Sequence, residues 1–200
     1  LGPARYYVSD ADRAWAAARL AGWEQARAIE NPRRIAIHPG AGAAVKQWPV
    51  EQWATVADAL HEATGAGVIL TGGPGEGELT EGIAARTRAP RLDLAGQTSF
   101  GQLAAVYSQC DLVLGSDSGP LHLAVAARAK TVHLYGPVPA AKFGPWGDAA
   151  RNLVLNSPFS CAPCDRLDWP LSALRLHGCV AAIRPADVID AALRLIRSNP

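Results

Sequence analysis

The sequence predicts an α/β fold, a parallel sheet with helices on both faces, and three observations carry that reading. Short aliphatic runs bounded by Gly, Pro or Asp recur along the chain, mainly apolar, as strands covered on both sides are. Helical patterns fill the intervals between them. The runs begin every 20 to 35 residues, a spacing that leaves room for the crossover helix parallel strands require.

Taken in order, residues 1 to 9 read as an extended connector with Pro3 and the aromatic pair Tyr6 and Tyr7. Ser9 and Asp12 have the spacing of a capping box. An Ala-rich helix is expected from there to about Leu20, ended by Gly22, and Asn31-Pro32 then breaks the chain. Strands are expected over Arg34–His38, Gly67–Thr71, Arg91–Leu94, Asp111–Ser116, Thr131–Tyr135 and Asn152–Leu155. Helices are expected over 50–64, 77–88, 99–109 and 119–128. A last one runs from Pro185 to Arg197, with Pro at its first position, where the missing N–H costs nothing. Residues 1–32 therefore read as a linker with a lead-in helix, and 33–200 as one Rossmann-like domain.

Composition narrows the function. The 200 residues carry 19 Lys and Arg against 18 Asp and Glu, a net charge of +1, which argues against a nucleic-acid partner because phosphate neutralisation needs a basic surplus. No apolar run approaches the ~18 residues that span a bilayer, and no basic-then-apolar leader opens the chain. The chain has no Met and starts at Leu1, a residue too bulky for routine initiator removal, so residue 1 is expected to lie inside a longer polypeptide. Four cysteines are too few for a disulfide framework, leaving reduced thiols or a metal site.

In open α/β sheets ligands bind beyond the carboxyl ends of the strands, so the strand-to-helix loops are where chemistry is expected. After the first strand stands His38-Pro39-Gly40-Ala41-Gly42, where glycines allow close backbone approach, followed by Lys46, a cation for a phosphate. The third glycine of the dinucleotide fingerprint is missing, with Val45 in its place, and no Gly-Lys-Ser/Thr appears. After the second strand, Glu76 or Glu78 can bind a ribose diol or simply favour the next helix's start. After the fourth strand, Ser118, Gly119 and Pro120 open a helix whose free N–H groups suit a phosphate, with His122 one turn in. Asp117 repels phosphate and suits sugar hydroxyls. Asp117 also stands where a nucleophile elbow has its Ser, so a hydrolase reading fails. Gly136 follows the fifth strand in a further glycine turn. Cys161-x-x-Cys164, with Cys179 and His177, has metal-ligand spacing, but reduced loop thiols are the preferred reading; Cys110 reads as a core residue.

These motifs occur in a definite order. They are His38-Pro39-Gly40-Ala41, Lys46-x-Trp48-Pro49-x-Glu51-x-Trp53, Leu70-Thr71-Gly72-Gly73-Pro74 and Leu94-Ala95-Gly96-x-Thr98-Ser99. Then come Cys110-Asp111-Leu112, Asp117-Ser118-Gly119-Pro120-x-His122-Leu123-Ala124, Tyr135-Gly136-Pro137 and Cys161-x-Pro163-Cys164. In that order, from about Arg33 to Leu195, the sequence resembles glycosyltransferase family 9, the ADP-heptose:lipopolysaccharide heptosyltransferases.

The resemblance implies one half of a two-domain GT-B enzyme: the donor-binding domain, with the acceptor site and an Asp base in another domain. It implies that Lys46 contacts the donor diphosphate, that Ser118 and Gly119 bind phosphate with His122 nearby, and that Asp117 holds the donor sugar. Glu76 or Glu78 becomes the ribose contact, the choice staying open, and His38, Gly40 and Gly136 supply loop backbone. It further implies no required cofactor or metal, ADP-heptose as donor, a lipopolysaccharide core acceptor, and a place at the cytoplasmic face of the inner membrane with peripheral association. Where family members often carry a further Cys, this chain has Trp169-Pro170-Leu171, which weakens the metal expectation. The alternatives are a nucleotide-binding module without transfer activity and an NAD-linked dehydrogenase, the latter disfavoured by the incomplete glycine fingerprint.

Overall fold

The computed structural model describes residues 5–27 and 33–198; the expected Pro3 connector and Asn31-Pro32 break lie outside the described residues. The strands are β1 (Arg34–His38), β2 (Gly67–Leu70), β3 (Arg91–Asp93), β4 (Leu112–Ser116), β5 (Thr131–Tyr135) and β6 (Asn152–Asn156). The helices are α1 (Asp10–Ala26), α2 (Val50–Thr64), α3 (Gly77–Ala84), α4 (Phe100–Tyr107), α5 (Gly119–Ala126), α6 (Ala140–Phe143) and α7 (Pro185–Arg197). The six strands form one parallel sheet in the order β3-β2-β1-β4-β5-β6. Strand order reverses between β1 and β4, the switch point at which such sheets open a crevice.

Alternation along the strands assigns each face its core. Ile35, Ile37, Val68, Leu70, Leu112 and Leu114 point to the α2 and α7 side, where Trp48, Trp53, Leu60, Val188 and Leu195 meet them. Ala36, Ile69 and Val113 point the other way, onto Leu103, Val106, Tyr107 and Leu121 of α4 and α5, with Leu20 and Trp23 of α1. Burial on both faces is why the central strands are mainly apolar and show no apolar–polar alternation.

Four helix ends differ from the sequence expectation: α4 stops at Tyr107, two residues early, and the other three have a visible reason. Helix α1 starts as expected, with Ser9 Oγ accepting the Asp12 N–H at 3.1 Å, but it runs through Gly22 to Ala26. Beyond Gly22, Trp23 packs against Gly67 and donates to Arg91 O at 3.0 Å, and Glu24 grips Arg34 with both carboxylate oxygens. These tertiary contacts offset the ~1 kcal/mol that an interior Gly costs a helix. Helix α3 stops at Ala84 because Asp58 of α2 takes the Thr87 hydroxyl and the Arg88 N–H, at 2.6 and 2.8 Å. Helix α5 stops at Ala126, and Arg128 takes the left-handed conformation, φ 68°. The short α6 had no sequence signal. Among the described residues no helix is long and apolar enough to cross a membrane.

Candidate functional site

The carboxyl ends of β1, β2 and β4 open onto a cleft of about 460 Å³ at the switch point. His38, Gly72, Gly73, Glu76, Ser118 and Gly119 line it, with Thr98, Ser99 and Phe100 closing one end.

Lys46 ends a 3-10 turn, Ala44–Lys46, that follows the β1 loop. The turn is held in place just downstream by Trp48, which is buried edge-on against Trp53 with ring centroids 4.6 Å apart and donates its indole N–H to Ile183 O at 3.1 Å. Two aromatic anchors thus aim one cation at the end of the sheet. Lys46 Nζ donates to Asp117 Oδ2 at 2.9 Å, and both side chains are largely buried.

Asp117 directly follows β4, and His122 Nε2 lies 3.6 Å from its other carboxylate oxygen. Burial pushes this carboxyl up, but His122 and Lys46 outweigh that through hydrogen bonding and charge and hold it below the ordinary carboxylate value. Ser118 occupies the N-cap position of α5 in an extended conformation, φ −156° and ψ 157°, yet its side chain caps nothing. Its Oγ is buried with no partner among the described residues. A buried hydroxyl without a partner is costly, and it sits beside the Gly119 and Leu121 N–H groups that the first helical turn leaves open. Pro120, between them, has no N–H to offer.

Glu76 and Glu78 separate cleanly. Glu76 turns back into the cleft, its Oε2 accepting the Gly73 N–H at 2.7 Å, and its carboxylate lies flat over Gly40, where a Cβ would stand 2.0 Å away. Glu78 is exposed in the first turn of α3, off the cleft lining. Close packing explains the glycine at 40. His38 contributes its side chain as well as its backbone: it is buried, with Nδ1 3.1 Å from Thr71 Oγ1 and Nε2 3.6 Å from Glu76 Oε2. Burial pushes its imidazole down to about 4, against the pull of Glu76.

Gly136 is not at the cleft. A Cβ there would meet Val180 and Cys179 at 2.3 and 2.8 Å, so it lets the thiol loop close onto β5. Cys161, Cys164, Cys179 and His177 all border one small cavity with Trp169, on which His177 stacks at 3.2 Å. Among the described residues no group of three or more His, Cys, Asp or Glu could hold a metal ion. Burial, with the neighbouring Cys164 and Cys161, pushes the Cys179 thiol up. Cys110 packs against the α1/α4 core, its thiol pushed up to about 12 by burial.

Residues 5–171 match the model of glycosyltransferase family 9 (heptosyltransferase). The chain belongs to glycosyltransferase family 9. It is 28% identical over 177 residues to lipooligosaccharide heptosyltransferase 2 of Campylobacter jejuni, covering 86% of this chain and 54% of that one. It is 33% identical over 168 residues to a lipopolysaccharide heptosyltransferase 3 of Escherichia coli, covering 82% and 47%. It spans about half the length of these curated relatives. The fold matches a family 9 glycosyltransferase from Veillonella parvula, with TM-score 0.76, 23% identity, and 96% and 53% of the two chains covered. The Escherichia coli ADP-heptose LPS heptosyltransferase II matches with TM-score 0.73, 22% identity and the same coverage.

In this family 9 chain, four of the eight motifs that carried the resemblance contribute residues to the cleft lining. Sequence reasoning missed Thr71 and Tyr107, which lie behind His38, and the Thr98–Phe100 wall. Thr71, Thr98 and Ser99 were inside quoted motifs, but nothing local in them indicated a role; Tyr107 looked like one more core aromatic of α4.

Proposed function

We propose that this chain is the donor-binding domain of an inverting heptosyltransferase, which moves heptose from ADP-heptose to the lipopolysaccharide inner core at the cytoplasmic face of the inner membrane. Residues 33–200 form that domain and 1–32 its linker and lead-in helix. The observation that carries the reading is the meeting of Lys46, Asp117, Ser118 and the open start of α5 at the switch point. Fold neighbours solved with ADP and in complex with ADP-D-β-D-heptose support the ligand class.

The chemistry follows from the charges. The diphosphate lies against the Gly119 and Leu121 N–H groups and the Ser118 hydroxyl, and draws Lys46 away from Asp117. Asp117, released, accepts hydrogen bonds from the sugar hydroxyls, with His122 beside it. Glu76 Oε1, which has no protein donor among the described residues, takes the ribose diol. The acceptor hydroxyl oxygen attacks the anomeric carbon from the opposite side, the bond to the β-phosphate oxygen breaks, and the proton passes to a base in the acceptor-binding domain. Lys46 and the helix terminus offset the charge growing on the leaving ADP, so the transfer needs no metal.

Calorimetry with ADP and ADP-heptose tests this. Lys46→Ala is expected to weaken both by about tenfold or more, as loss of a charged hydrogen bond does. Asp117→Ala is expected to weaken ADP-heptose but not ADP, because it removes the sugar contact while freeing Lys46. Unchanged binding in both variants sinks the assignments.

A further inference from the structure

We infer that His38 is a positioning residue for Glu76, set by a buried one-way hydrogen-bond chain that begins at Tyr107 of α4. The inference rests on the proposed ribose role of Glu76. Four groups touch in turn, and Tyr107 Oη also lies 3.5 Å from His38 Nδ1, a second donor to the same ring nitrogen. Tyr107 Oη is 2.9 Å from Thr71 Oγ1, Thr71 Oγ1 is 3.1 Å from His38 Nδ1, and His38 Nε2 is 3.6 Å from Glu76 Oε2. Tyr107 and Thr71 are wholly buried and His38 nearly so, so no solvent relieves a wrong donor–acceptor order.

Direction follows from what each group can do. A buried phenol must donate, and its near oxygen is Thr71 Oγ1. Thr71, having accepted, has one proton to give. His38 Nδ1 lies nearer to it than the Ile37 carbonyl, 3.1 against 3.4 Å. Nδ1 is then the lone-pair nitrogen and Nε2 carries the proton. The opposite tautomer turns a lone pair toward the Glu76 carboxylate, which is repulsive; the Tyr107 order turns an N–H toward it. Both ends of the chain therefore favour the same tautomer.

The consequence is at Glu76. The Gly73 N–H and the His38 Nε2–H both address Oε2, and the glycine at 40 lets the carboxylate lie flat beneath the cleft. Oε1 alone is left to receive a diol. At 3.6 Å the His38 contact is longer than a hydrogen bond, and it is expected to contract when a diol engages the carboxylate. Without His38, the carboxylate keeps one backbone anchor and can rotate away, so the residue decides how well ribose is told from deoxyribose.

Two measurements test it on the full chain. Long-range proton–nitrogen correlation spectra are expected to show His38 as the Nε2–H tautomer; the Nδ1–H form overturns the chain. Calorimetry then compares ADP with 2′-deoxy-ADP. The wild type is expected to prefer ADP by about tenfold, and Glu76→Gln to lose that preference. His38→Asn, which replaces only Nδ1, is expected to cut it to about twofold, and His38→Gln, whose amide nitrogen stands near the Nε2 position, to restore it. The far-ultraviolet circular dichroism spectrum should be unchanged throughout, reporting an intact fold. A wild-type preference that survives His38→Asn overturns the His38 inference alone. No preference in wild type overturns the ribose reading and this inference with it.

Discussion

At the scale of the residue, buried polar atoms say most about this molecule. His133 on β5 illustrates the point: Thr131 Oγ1 donates to Asn152 Oδ1 at 2.8 Å and so accepts from His133 Nε2–H, also at 2.8 Å. That leaves Nδ1 as a buried acceptor with no partner among the described residues. Burial pushes this imidazole down to about 3, and the His38 imidazole to about 4. Both values lie below the ordinary histidine value near 6.5, so the unfolded chain binds protons first as pH falls. Stability from these two groups is therefore complete above about pH 6.5 and lost progressively down to about pH 4 for His38 and about pH 3 for His133. Urea midpoints measured across that range are expected to fall, and His133→Gln, which keeps a donor for Thr131 without titrating, to reduce the fall by roughly half. A profile as steep in the variant as in the wild type rejects this assignment. None of this was legible beforehand, since a histidine in an apolar run looks the same whether its second nitrogen is satisfied or not.

At the scale of the element, the site depends on how closely α5 seats against β4. Gly115 makes that possible. A Cβ there would stand 2.3 Å from Leu121 Cδ2 and 2.7 Å from the His38 carbonyl oxygen. The carbonyl belongs to the neighbouring strand and cannot move without breaking the ladder. Gly115→Ala is expected to destabilise the fold by about 2 kcal/mol, through overpacking rather than backbone conformation. It should weaken ADP binding as well, because the α5 N–H groups shift with the helix; denaturation and calorimetry on one preparation check both. A neutral substitution would mean that the seating is loose. Strands and helices were the most legible level, because period and punctuation are local properties: β1, α2, β5 and α7 stand where the sequence places them. Helix ends were less so. Gly22 looks like a stop, and only the docking of Trp23 and Glu24 onto the sheet carries the helix past it.

At the scale of the whole molecule, that same helix makes the lead-in segment part of the domain's packing. Trp23 bridges α1 to β2 and β3, and Glu24 pairs with Arg34 at the start of β1. Trp23→Ala is expected to cost about 3 kcal/mol, seen as a lowered urea midpoint in one cooperative transition. A loss of only a few tenths would mean that α1 is an appendage. The sequence by itself determined the layered architecture, the family, and most of the loops that meet at the cleft, because strand period, glycine punctuation and motif order are written along the chain. Only the tertiary structure decided that Lys46 pairs with Asp117, that Glu76 rather than Glu78 reaches the cleft, that Gly136 serves the thiol loop, and that Tyr107 and Thr71 stand behind His38. Those are relations between residues up to 71 positions apart, as Lys46 and Asp117 are. Sheet order and side-chain direction create them, and neither is a property of any local stretch of sequence.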